Sequence, residues 1–116
     1  MEDLPPALDA EMFGQLKELE AGSPGFLADL VKQFLDQATR QFELVRTLLQ
    51  TKDGEGVFRA AHLLKGSAGS MGALPLMDLL RELEAAGQKR AFADAEALMP
   101  RLDREFARVQ RALEKP

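Results

Sequence analysis

Between residues 27 and 49 the apolar residues Leu27, Val31, Phe34, Ala38, Phe42, Val45 and Leu49 follow one another at steps of three and four. That spacing keeps one face of a helix apolar, and it does not fit the two-residue period of a half-buried strand. A single long helix with one apolar stripe has to lay that stripe against other helices. Nowhere does the chain show strand-like alternation, so the expected fold class is all-α.

The punctuation divides the chain into helices. Asp9 suits an N-cap, with Leu8 and Phe13 placed as a hydrophobic staple, and Phe13, Leu16 and Leu19 give a short helix ending before Gly22. Ser23 as cap and Pro24 at the first helical position restart a long helix that reaches Thr51, where Asp53-Gly54 breaks it. A third helix is expected from about Glu55 to Met71, with a turn over residues 72–74. Pro75 opens a fourth, buried through Leu76, Leu79, Leu80 and Leu83 and ended by Gly87. The last begins near Arg90, and Pro100 is expected to kink or break it before Leu102, Phe106, Val109 and Leu113. Short loops between long helices predict an antiparallel up-down four-helix bundle with a short additional N-terminal helix. Residues 1–8 are expected to form a flexible arm and residues 9–115 the bundle domain.

Composition narrows the function classes. A chain of 116 residues, 46% hydrophobic and 29% charged, is sized for one core. Without cysteine it has neither a disulfide scaffold nor a thiolate metal site. The acidic start carries no apolar run, so no signal peptide is expected, and no stretch nears the roughly 18 apolar residues of a membrane span. A cytoplasmic location is the default expectation. A net charge of −4 argues against wholesale nucleic-acid binding.

The only histidine, His62, lies in the third helix. At about 100° per residue, Val57, Ala60, Leu64, Ala68 and Met71 fall within roughly 60° of the direction opposite its imidazole. The histidine therefore points away from the core stripe. On its own side lie Lys65, Gly66 and Gly69, with Phe58 one turn before. Each glycine costs a helix interior about 1 kcal/mol relative to alanine, so something other than helix stability selects them. Gly66 and Gly69 strip side chains from around the ring, as a docking partner needs. Gly72, by contrast, suits a helix terminus.

Neutral imidazole is a nucleophile near neutral pH, and its product with phosphate is a phosphoramidate. Lys65, at i+3, can compensate the charge of such a group. Ser67 is about 140° round from His62, so its hydroxyl is expected on the local backbone or simply saving space. Phe58 either tucks against the first helix or, together with Arg59 and Leu63, meets a partner protein. Arg101, Arg104, Arg108 and Arg111 read as the solvated face of the last helix.

Residues Ala61, His62, Lys65, Gly66, Ser67 and Gly72 resemble the signature of the histidine-containing phosphotransfer (HPt) domains: histidine, then Lys at +3, Gly at +4, a small residue at +5 and Gly at +10. The resemblance continues through Leu76, Leu79, Leu83 and Glu84 and, less distinctly, into the segment from Leu102 to Leu113. It implies that His62 takes a phosphoryl group from an aspartyl phosphate of a response-regulator receiver domain and passes it to another. It also implies that Glu84 accepts a hydrogen bond from Nδ1–H, leaving Nε2 free. The partners implied are receiver domains and a hybrid histidine kinase, with Mg²⁺ on the receiver and no cofactor or metal on this chain.

Lys65-Gly66-Ser67 looks superficially like the end of a P-loop, but the glycine upstream of a Gly-Lys pair is missing, so no ATP site and no autokinase activity are expected. The competing reading is a non-catalytic helical adaptor that docks partners through Phe58 and Leu63. An enzyme with chemistry of its own has no second histidine, cysteine nucleophile or glycine-rich phosphate cradle to draw on.

Overall fold

The computed structural model describes residues 4–114, which form five helices: α1 (Ala10–Gly22), α2 (Phe26–Gln50), α3 (Gly54–Ser70), α4 (Leu74–Gln88) and α5 (Phe92–Glu114). Among the described residues there is no strand, and no helix is long and apolar enough to cross a membrane. Helix α3 packs most extensively on α4; α4 then meets α5, and α2 meets both α3 and α5, which closes the ring, while α1 lies on α2. Val45, Val57, Leu64, Leu76, Leu80, Leu83, Leu102 and Val109 are the large side chains fully withdrawn from solvent. Each contributes about 1.5–3 kcal/mol of transfer free energy against the entropy of ordering the chain.

Local chemistry explains most of the boundaries. The Asp9 carboxylate accepts from the N–H groups of Glu11 (2.9 Å) and Met12 (3.3 Å), and so caps α1. Gly72, at φ 76°, ends α3 in a Schellman turn: its N–H bonds Gly69 O at 3.0 Å and the Ala73 N–H bonds Ala68 O at 2.8 Å.

Four boundary expectations need correction. Ser23 does not cap α2; it closes α1, and the chain reverses at Gly25, whose φ of 88° only glycine adopts freely. The helix then starts at Phe26, past the reach of the serine hydroxyl, and the Glu20 carboxylate takes the N–H groups of Gly25 and Leu27 at 2.7 Å each. The break after α2 falls at Lys52 (φ 55°), so that Asp53 caps α3 through the Gly56 N–H at 2.8 Å and Gly54 is already helical. Gly87 does not end α4; the turn comes at Arg90 (φ 56°). Pro100 does not divide α5. Pro100 and Glu96 both face solvent, where water can serve the carbonyl four residues back, and buried Leu98, Met99, Leu102, Val109 and Leu113 anchor both sides of the proline.

Of the expected arm, residues 1–3 lie outside the described residues, as does Lys115 at the other boundary. Further along, Ala7 is buried, Leu8 packs against the core, and Arg108 Nη2 donates to the Pro5 carbonyl, so residues 5–8 lie on the bundle.

Gly87 does its work inside the helix. A Cβ there would stand 2.8 Å from Phe58 N, 2.9 Å from Val57 Cγ1 and 3.0 Å from Gly54 O, while a Cβ on Gly54 would stand 2.7 Å from Gly87 O. Backbone faces backbone, and α4 lies too close to α3 for a side chain on either glycine. Gly66 is the opposite case, with nothing within 4 Å of its missing Cβ. Gly87→Ala is therefore expected to cost about 1–3 kcal/mol through overpacking, whereas Gly66→Ala should gain roughly 0.5–1 kcal/mol of helix propensity. Urea midpoints of the two variants moving in the same direction would refute this contrast.

Candidate functional site

Helix α3 turns its two faces to different tasks. Val57, Ala60, Ala61, Leu64, Ala68 and Met71 are buried, and His62 leaves the far side with 65% of its side chain exposed. The partner for the ring comes from α4. Glu84 sits one turn before Gly87, on the helix that the glycine contact draws against α3, and its side chain is only 12% exposed.

That carboxylate is divided between two groups. Glu84 Oε2 lies 2.5 Å from His62 Nδ1, and Lys65 Nζ donates to Glu84 Oε1 at 2.8 Å. The Lys65 hydrogen bond is the main cause holding the Glu84 carboxyl below its ordinary value of 4.5; the His62 hydrogen bond and both charges act in the same direction, against partial burial. Glu84 is thus ionised at neutral pH, and an ionised carboxylate only accepts. The proton of a neutral ring accordingly sits on Nδ1, and Nε2 carries the free lone pair. The arrangement presents an oriented base on an exposed ring, with a cation within the same network.

Phe58, expected either against the first helix or at a partner-docking surface, is half-buried and stacks on His62, with ring centroids 5.9 Å apart and planes at 19°. Arg59 is exposed beside Glu55, with Nη1 to Oε1 at 3.4 Å, and Leu63 is 46% exposed. The two glycines on the histidine side differ. Gly66 opens onto free space, while a Cβ on Gly69 would meet Met77 Sδ at 3.1 Å, so the second glycine makes room for α4. Ser67 bonds neither its local backbone nor the ring; its hydroxyl donates across to Gln37 Oε1 of α2 at 2.9 Å. The Lys65–Glu84 pair was not part of the sequence expectation, because nothing local links residues 19 positions apart. Among the described residues no cluster of three or more His, Cys, Asp or Glu side chains could hold a metal ion.

Known proteins share this fold. The profile of the Hpt domain family matches residues 29–112. A phosphorelay intermediate protein, YPD1 of Candida albicans (strain SC5314 / ATCC MYA-2876), is 27% identical over 85 residues, 73% of this chain and 46% of that protein. Histidine-containing phosphotransfer protein 2 of Oryza sativa subsp. japonica is 40% identical over 67 residues, 54% of this chain and 45% of its own length. The matches therefore span under half the length of these two relatives. Among solved structures, histidine-containing phosphotransfer protein B from Pseudomonas aeruginosa PAO1 superposes with a TM-score of 0.87 at 26% identity, covering 97% of this chain and 95% of that one. The maize protein ZmHP2 also gives 0.87, at 27% identity over 94% of this chain and 81% of its own. With the family profile covering most of the five helices and His62 on the exposed flank of α3, this chain belongs to the Hpt domain family.

Proposed function

We propose that this chain is a phosphorelay intermediate in two-component signal transduction, with His62 as the phosphoryl acceptor and donor. The observation that carries the reading is the Glu84 carboxylate on Nδ1 of a ring that is otherwise largely exposed. In the step proposed, the Nε2 lone pair attacks the phosphorus of a receiver's aspartyl phosphate. The N–P bond forms as the P–O bond to the aspartate carboxylate breaks, and that carboxylate departs with the electron pair. The ring proton stays on Nδ1, held by Glu84, and the ring's gain of positive charge is stabilised by the same carboxylate. The reverse step hands the group to a second receiver aspartate. Positioning and charge account for the chain's share of such a transfer.

In this reading Lys65 balances the phosphoryl charge, Gly66 keeps the approach open, and Arg59 and Leu63 face the receiver. Mg²⁺ belongs to the receiver, a hybrid histidine kinase stands upstream, and this chain has no ATP site or autokinase activity of its own. A cytoplasmic setting belongs to the same reading, as does the arrangement of α2–α5 as an antiparallel up-down bundle with α1 as the added N-terminal helix. The ring of contacts among α2–α5 supports that arrangement.

Incubation with a radiolabelled phosphorylated receiver should place an acid-labile, base-stable label on the wild type and none on His62→Gln. A label that survives the substitution would sink the assignment, and an unlabelled wild type would leave a helical adaptor in its place. A second expectation concerns acid. Glu84 titrates below its ordinary value of 4.5 in the folded chain, so there the unfolded chain binds more protons. The stabilisation from the His62–Glu84–Lys65 network is complete above that ordinary value and is lost as pH falls through the depressed one. Wild type should thus lose more stability than Glu84→Gln between about pH 6 and pH 3 in urea titrations. Parallel stability profiles for the two proteins would show that the network contributes nothing.

A further inference from the structure

We infer that Phe58 is a positioning residue for the imidazole, a role that rests on the carrier reading above. Histidine has two soft torsions, and His62 is mostly exposed, so little of its orientation comes from burial. The Glu84 contact draws Nδ1 toward Oε2, but a single hydrogen bond to a carboxylate with torsions of its own restrains the two torsions of the imidazole only loosely. A second contact narrows both torsions. Phe58, one turn earlier on α3, supplies it by lying nearly parallel to the imidazole, at 19° and 5.9 Å between centroids.

The phenyl ring can hold that plane because it is itself held. Phe58 is half-buried, and its backbone lies in the closest part of the α3–α4 contact, opposite Gly87. The geometry also leaves the reaction unobstructed. The Nε2 lone pair lies in the plane of the imidazole, so a ring stacked on one face restrains the nucleophile without standing in the line of attack. Glu84 restrains one edge of the ring and Phe58 one face. Together they convert a mobile surface histidine into a fixed one.

A docking role for the same side chain makes different demands, and kinetics separates the two. In single-turnover transfer from a phosphorylated receiver domain, Phe58→Leu keeps the apolar bulk and removes the ring, while Phe58→Tyr keeps the ring. The leucine variant is expected to lose about three- to tenfold in the rate at saturating receiver, the range of one aromatic stacking contact. Its half-saturating receiver concentration should not change, and the tyrosine variant should retain the wild-type rate. Because His62 is the only histidine, proton NMR reads its ring directly. Its ring protons should be displaced by the Phe58 ring current in the wild type and in Phe58→Tyr, and return toward random-coil positions in Phe58→Leu. An unchanged saturating rate with a raised half-saturating concentration would reassign Phe58 to docking. Histidine shifts indifferent to the leucine substitution would remove the stack itself. Failure of the wild type to accept a phosphoryl group at all would instead overturn the carrier reading, with the NMR comparison still deciding whether Phe58 orders the ring.

Discussion

The site depends on how closely α4 can approach α3. Two glycines, Gly54 and Gly87, face each other across that contact with no room for a Cβ on either. The approach carries Glu84 to within hydrogen-bonding distance of both His62 and Lys65. Gly69 repeats the device further along, where Met77 fills the missing side chain's place. Glycine in a helix interior is locally unfavourable, and here the tertiary contact offsets that cost. The same approach sets the backbone of Phe58, so the partners of the imidazole on both sides trace back to one packing decision.

Sharing one carboxylate between a ring and a lysine has a chemical consequence. Glu84 is ionised at neutral pH, the Lys65 hydrogen bond lowers its pKa further, and an ionised Glu84 keeps the proton on Nδ1. Lys65 also holds the carboxylate at Oε1 while Oε2 meets the ring, so it helps to place the partner of the nucleophile. A glutamine in place of Glu84 could offer the ring the same hydrogen bond but would leave the lysine without its counter-charge.

Much of the fold was legible because each helix carries its own periodicity. The buried stripe of α2 and the face opposite His62 needed only residue spacing, and Asp9 and Gly72 could be read from capping chemistry alone. Errors arose where one residue type serves two physical ends. Gly87 has the composition of a terminus but serves close packing, while the turns themselves fall on Lys52 and Arg90, whose left-handed backbone no local rule foretells. Serine and proline at 23 and 24 form a convincing helix start, and it was the reach of Glu20 from the preceding helix that moved the start to Phe26. At the site, the orientation of His62 followed from its own helix. Its link to Glu84 entered only through family resemblance, and the Lys65–Glu84 and Ser67–Gln37 contacts were not foreseen, since each joins residues far apart in the chain.

An exposed histidine on a helical protein is ordinarily a mobile one, and for the carrier role proposed above that is the wrong combination. A carrier must meet two partners in turn, so its nucleophile cannot be enclosed, yet positioning supplies much of what the protein can contribute to transfer. Burial is the usual way to order a side chain and is ruled out by the need for access. The solution visible here divides the restraint. Glu84 acts in the plane of the ring at Nδ1, Phe58 acts on one face, and open Gly66 leaves a clear flank one turn along. Order comes from the sides of the imidazole that the reaction does not use, which is how a ring 65% exposed can still be held in a single orientation.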